Sequence, residues 1–220
     1  MAANEQAYTG FAGLHDQNSE WNRLQFAIRA VTAGMATATL VQVKAVNGTA
    51  VDVQPMVAQT DGAGNNVPHG IIHGLPVWRL QGGTSAVIVV PAVGDIGLAV
   101  FAQTDISGVK RAKEPTAPGS SRRFDWADGV YLGGLLNAEP TQFLRLDDAG
   151  VTITAADGLP VTINAPGGLV IEAPTASFSG DISVTGDMTT GPGSTFNGKS
   201  FDDHRHSGVT TGGGNSGPPV

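Results

Sequence analysis

VTITAADGLPVTINAPGGLVIEAPTASFSGDISV, residues 151–184, repeats one short pattern five times. Apolar triplets begin at Val151, Val161, Leu169, Ala176 and Ile182, so the interval between them shrinks from 10 to 8, 7 and 6 residues. Turn-forming residues, such as the Asp-Gly pair at 157–158 and Pro-Gly-Gly at 166–168, separate the triplets. The pattern predicts a β-helix-like repeat that narrows toward the C-terminus.

Strands of three to five residues cannot bury a core within one chain, because even a two-stranded hairpin is marginal in water. If three copies wind around a common axis, each strand can pair with strands of the other two chains. The inward apolar residues then meet on the axis. We therefore expect a homotrimer with an intertwined, tapering shaft.

The preceding region, residues 37–103, reads as five strands separated by turns. The runs are 37–46, 51–57, 71–80, 86–90 and 96–102, and the Asn47-Gly48 pair between the first two is a strong hairpin signal. Five strands in this length of chain predict a small closed barrel of the OB type, so the fold class is all-β.

An amphipathic helix is predicted before the barrel, between Asn18 and Met35. Asn18 or Ser19 can cap its start, and Gly34 lies near its end. Two interpretations are open: the helix packs on its own domain, or it docks on another protein. The apolar stripe that either contact would use has the spacing of one helical face, with Trp21, Leu24, Ile28, Val31 and Met35.

Composition and charge narrow the classes of function. The chain has no cysteine, which rules out disulfides and thiolate metal sites. Residues 1–123 carry nine Lys/Arg and eight Asp/Glu, whereas residues 124–220 carry three and eleven. The acidic C-terminal part repels phosphate backbones and anionic lipid, which argues against nucleic-acid binding. We see no signal peptide or membrane-spanning run, and expect a product that assembles in the cytoplasm.

Two pairs of histidines are candidate metal ligands. His69 and His73 fall in a predicted strand, where they lie too far apart to share one ion. His204 and His206 point to the same face of an extended chain. Three chains would supply six imidazoles on a threefold axis, an octahedral nitrogen shell that suits several first-row metals.

Several motifs together resemble one protein family. They are WNRLQF at 21–26, VDVQPM at 51–56, VGDIGLA at 93–99, PGSSRRF at 118–124, and DHRHSG at 203–208 followed by NSGPP. The last is the specific one. Over nearly its whole length, the chain resembles the central spike, or membrane-puncturing needle, of Mu-like contractile-tailed phages and related tail-like particles.

The resemblance implies a domain order and a function. It implies an N-terminal segment with a helix (1–36), an OB-fold domain that docks on the tail hub (37–123), a triple-stranded β-helix shaft (124–200) and a metal-binding apex with a glycine-rich tail (201–220). It also implies one iron ion per trimer at His204 and His206. Such a protein belongs to the baseplate of the virion tail and pierces the host outer membrane.

Two other functions use similar trimeric repeats. A glycan-degrading tailspike needs a pair of carboxylates in a cleft. The candidate pairs, Asp125 with Asp128, Asp147 with Asp148 and Asp202 with Asp203, lie in apparent turns without an aromatic platform for sugar. We therefore expect no enzymatic activity and no small-molecule substrate. A receptor-binding tail fibre or adhesin is the second alternative, although its tip would usually carry a recognition surface richer than histidine, glycine and proline.

Overall fold

A computed structural model describes residues 18–61 and 63–200. The chain divides into two units, residues 1–160 and 161–220. It is mostly β-structure with few helices. None of the helices in the described ranges is long and apolar enough to span a bilayer.

The N-terminal helix, α1, extends over Glu20–Ala33, as the apolar spacing predicted. Its cap is Ser19, whose side-chain oxygen accepts a hydrogen bond of 3.1 Å from the Asn22 amide, and Gly34 ends it. No residue of α1 is buried. The five residues of the apolar stripe are 39–67% exposed, so the described part of the chain covers the stripe only in part.

Short strands account for most of the remaining regular structure. In the described residues they are β1 (Ala38–Asn47), β2 (Ala50–Pro55), β3 (Gln59–Thr60), β4 (Asn66–Val67), β5 (Ile72–Pro76), β6 (Leu80–Gly82), β7 (Ser85–Val87), β8 (Ile96–Phe101), β9 (Gly129–Gly134), β10 (Phe143–Asp147), β11 (Gly150–Thr154), β12 (Thr195–Phe196) and β13 (Lys199–Ser200).

A curled antiparallel sheet of five strands, in the order β5-β2-β1-β8-β9, forms the body of the first unit. Alternate residues of β2 and β8 are buried, as the period of two in a half-buried strand requires. The core of the sheet consists of small and branched side chains together with two aromatic residues: Ala36, Val41, Val43, Val51, Val53, Leu75, Ala99, Phe101 and Tyr131.

The predicted hairpin at Asn47-Gly48 is confirmed. Asn47 pairs with Ala50, and Gly48 in the turn has a φ of 63°, which glycine adopts without steric cost. Strands β1 and β2 are therefore joined by the short connection that the sequence indicated.

The two edge strands of the sheet approach each other. Val77, just after β5, forms a parallel bridge with Tyr131 in β9, and the Trp78 amide donates to the Tyr131 carbonyl at 2.8 Å. The Tyr131 ring packs directly on the backbone of Gly97, where a Cβ would lie 2.4 Å from the ring. The sheet is thus curled far enough for its ends to make contact.

The strand composition differs from the prediction at two points. The predicted run 71–80 is divided between β5 in the main sheet and the start of β6 in another sheet. Residues 86–90 do not join the main sheet: β7 pairs only with β6 in a separate hairpin, and the following residues are exposed. The fifth strand is β9 instead, which lies beyond residue 123, the limit that sequence analysis gave to the barrel. The run of apolar residues at 87–90 lacks the alternation of a half-buried strand, and β9 is rich in glycine, so periodicity favoured the wrong segment.

The connection from β8 to β9 contains helix α2 (Ser107–Ala112) and a 3-10 helix at Trp126–Asp128. Trp126 packs edge-on against Phe101, with ring centroids 4.9 Å apart. The connection therefore folds back onto the core of the sheet.

In the second unit, the described residues contain one hairpin, β12–β13, which turns at Asn197 and Gly198, both with positive φ. From residue 161 to residue 194 the chain forms no strand. The predicted turns around Asp157-Gly158 and Pro166-Gly167 are confirmed: the Leu159 amide donates to Ala156, and the Gly168 amide donates to Ala165.

Candidate functional site

The hairpin β10–β11 has one apolar face that nothing in the described chain covers. Leu144 pairs with Ile153 and Leu146 pairs with Val151, and residues directly opposite each other share a face. All four side chains are more than half exposed, Leu146 at 71%. The other face carries Arg145 opposite Thr152, with the Arg145 guanidinium 4.6 Å from the Phe143 ring.

The same exposure continues through the predicted repeat. The large apolar residues at the first and third positions of the later triplets are all more than half exposed: Val161, Ile163, Leu169, Ile171, Phe178, Ile182 and Val184. Only the first triplet, Val151-Thr-Ile, lies in a strand of a single chain. Apolar exposure on this scale marks a surface that contacts a partner.

A network of charges holds the connection between β8 and β9. Arg122 contacts Asp128 through Nε and Nη2 at 3.2 Å each, and Nη2 also lies 3.1 Å from Asp105. Asp105 accepts hydrogen bonds from the Ser107 amide and the Ser120 hydroxyl. Both carboxylates are buried, so the paired guanidinium offsets part of the cost of removing their charge from water.

These contacts and burial shift the pKa values of three groups in the network. The hydroxyls of Ser107 and Ser120, with the Ser107 amide, hold the pKa of Asp105 well below its ordinary value. The hydrogen bond to Asp128 raises the pKa of Arg122, and burial lowers the pKa of Lys110, whose Nζ donates to the Ala127 carbonyl.

The Pro/Gly/Ser-rich segment 114–121 has the composition of a solvated linker and is exposed in the structure. Lys110 and Arg122, on either side of it, nevertheless make the contacts just described. A Cβ on Gly119 would also lie 2.6 Å from the Ser107 hydroxyl. No spacing in the sequence indicated this network, since it joins residues from distant parts of the connection between β8 and β9.

His69 and His73 have separate partners. The His69 ring lies 5.2 Å from the Trp126 ring, whereas Nδ1 of His73 lies 2.9 Å from Oδ2 of Asp52. The contact with His73 lowers the pKa of Asp52. In the described residues no group of three or more His, Cys, Asp or Glu side chains is placed to hold a metal ion.

The candidate carboxylate pairs serve mainly local structure. Asp125 accepts a hydrogen bond from the Ala127 amide, and Asp147 accepts one from the Ala149 amide in the β10–β11 turn. Asp128 is different from the turn residue expected, because it is 1% exposed and paired with Arg122. Asp202 and Asp203 lie outside the described residues, as do the predicted metal ligands His204 and His206.

The C-terminal segment of the chain matches a known family of proteins. Residues 200–220 match a family model described as the GpV Apex motif. The chain thus carries the signature of a structural protein of a phage tail. More particularly, this motif is the apex of the phage baseplate central spike, so the resemblance to spike proteins inferred from sequence is confirmed there. No curated protein matches the chain.

Proposed function

We propose that the chain is the central spike of a contractile phage tail, which acts as a homotrimer and pierces the host outer membrane during injection. The observation that carries this proposal is the apex motif at residues 200–220. It follows a run of apolar side chains that a single chain leaves exposed. A trimeric rod would bury that run and end in the apex.

The shaft is a triple-stranded β-helix in this proposal. The apolar face of β10–β11 turns toward the axis, and the triplets from Val161 to Val184 pair with strands of the two other copies. Each buried Leu, Ile or Val side chain contributes about 1.5–3 kcal/mol relative to an exposed one. Such a rod needs no covalent cross-links, in agreement with the absence of cysteine.

The N-terminal unit is an OB-fold that docks on the tail hub. The strand order and the parallel bridge between Val77 and Tyr131 support this assignment, because an OB-fold is a five-stranded, partly open barrel. The exposed apolar stripe of α1 supplies a surface for the hub. The near-neutral charge of residues 1–123 is compatible with such a protein contact.

At the apex, His204 and His206 hold one metal ion per trimer. The donor set fits, since six neutral imidazoles complete an octahedral shell for a first-row metal. The resemblance to spike proteins implies that this ion is iron. Bound there, the ion would tie three chains together at the tip and so keep a glycine-rich end ordered.

The decisive experiment is mass in solution combined with elemental analysis on protein purified without a histidine tag. The proposal requires a mass of three chains and near one metal ion per three chains. The variant with His204→Ala and His206→Ala should keep the trimeric mass and lose the metal. A folded monomer, or wild-type trimer free of metal, would contradict the corresponding part of the proposal.

A further inference from the structure

A second apolar surface lies in the first unit, at the β6–β7 hairpin. Leu80 in β6 pairs directly with Val87 in β7, and both side chains are more than half exposed. Trp78 before the hairpin is also exposed, and Val89 after it is 78% exposed. We call the surface formed by Trp78, Leu80, Val87 and Val89 the collar.

The collar has the composition of a buried interface. From Leu80 to Gly94 the sequence contains no Asp, Glu, Lys or Arg. Four consecutive apolar residues, 87–90, stand exposed in this stretch. Runs of this kind on a surface are a liability unless a partner covers them, and depletion of charge is typical of the centre of an interface.

The collar lies close in the chain to the start of the proposed shaft. Trp78 and Val89 line a cavity of about 330 Å³ together with Gly134 and Asn137, which follow at the end of β9. The Asn137 side chain fixes this end by bonding both the amide and the carbonyl of Ile96, at 2.8 and 3.0 Å. Only six residues later β10 begins, a span of about 20 Å at most.

We propose that the collar is a contact between neighbouring copies of this chain at the N-terminal end of the shaft. The inference rests on the proposed trimer and adds a second interface to it. Continuity along the chain favours another copy as the occupant, because β10, whose apolar face the proposal turns toward the other copies, begins six residues after Asn137 in the cavity lining. Residues near a threefold axis meet their own symmetry copies, so the absence of charge from residue 80 to residue 94, between Arg79 and Asp95, reduces repulsion there.

Photo-cross-linking of the full chain tests the collar directly. Since the chain has no cysteine, Val89→Cys creates a single thiol that can carry a benzophenone maleimide. Gln81→Cys places the same probe beside the collar without removing an apolar residue. The control is Lys44→Cys, an exposed position on β1 outside the collar. Sedimentation of each labelled protein before irradiation reports its mass.

We expect chain-to-chain products in denaturing gels from position 81 or 89, and at least tenfold less from position 44. A labelled trimer that gives no such product at 81 and 89 would overturn the collar while leaving the proposed spike intact. So would cross-links formed only to another tail protein in assembled particles. A monomeric mass for the unlabelled wild-type chain would instead contradict the proposed trimer itself.

Discussion

Gly97 is the residue at which the sheet tolerates least change. A Cβ there would lie 2.3 Å from the Gly133 carbonyl and 2.4 Å from the Tyr131 ring, and two strands of backbone would have to separate. We expect Gly97→Ala to lower the free energy of unfolding by about 1–3 kcal/mol through overpacking. Gly82→Ala, where nothing lies within 4 Å, is the matched control. Equal thermal melting curves for the two variants would contradict this assignment.

Asp105 gives the first unit a defined sensitivity to acid. Its folded pKa lies below the unfolded value, so its contribution to stability is complete above about pH 4 and declines as the pH falls further. Asp105→Asn should reduce stability at pH 7 and flatten the dependence of unfolding free energy on pH below 4. Glu114→Gln, at an exposed position, should change neither. Denaturant titrations at a series of pH values test this, and parallel curves for wild type and Asp105→Asn would refute it.

The sequence predicted the structural role of some side chains correctly and missed that of others, and the difference has a physical reason. Ser19 and Gly34 act through neighbours within four residues, so local spacing was enough to place them. Arg122 and Asp105 are 17 positions apart and meet only because the connection folds back. A charge that looks solvated in sequence gives no sign of a distant partner.

At the scale of the element, the two faces of β10–β11 provide a matched comparison. Leu146→Asp places a charge on the apolar face, whereas Thr152→Asp places one on the polar face, opposite Arg145. In the proposed trimer the first charge would be buried near its two symmetry copies, which costs several kcal/mol per ion. We expect Leu146→Asp to abolish the trimer in sedimentation and Thr152→Asp to retain it. Identical sedimentation of both variants would argue against burial of this face.

The helices and strands that could be predicted were those with a clear local sequence pattern. Helix α1, the β1–β2 hairpin and strand β11 carry clear periodicity or a glycine turn. Strand β9 does not: Gly129 is required because a Cβ would lie 2.7 Å from Phe101, and this need for space cannot be read from the strand itself. The triplets after residue 160 form no strand in a single chain, so their pairing with other copies stays a prediction.

For the whole molecule, the position of β9 defines where the proposed shaft can be separated from the five-stranded sheet. A fragment that starts at residue 124 would carry β9 without the strand β8 to which it bonds. A fragment of residues 138–220 contains β10–β11 and every triplet. The cut before residue 138 does not divide the five-stranded sheet, because all five of its strands lie in residues 1–137. We expect residues 138–220 to sediment as a trimer at micromolar concentration. A folded monomer would rule out an intertwined shaft.

The apex should respond to pH in a direction opposite to that of a simple salt bridge between histidine and carboxylate. Imidazole must be neutral to bind metal, and its ordinary pKa is about 6.5, so protons compete with the ion as the pH falls below that value. Metal retention after gel filtration should therefore be complete at pH 8 and decline through pH 6. The proposed trimer should lose thermal stability over the same interval, because an ion shared by three chains would stabilise only the assembled state. The variant with His204→Ala and His206→Ala retains the other histidines of the chain, His15, His69 and His73, so whatever they contribute is common to the variant and the wild type. Its stability should follow that of wild type treated with chelator at pH 8, and should lack the decline. If the double variant and the wild type lose stability in parallel between pH 8 and pH 5, the response belongs to other groups and the apex histidines do not hold the ion.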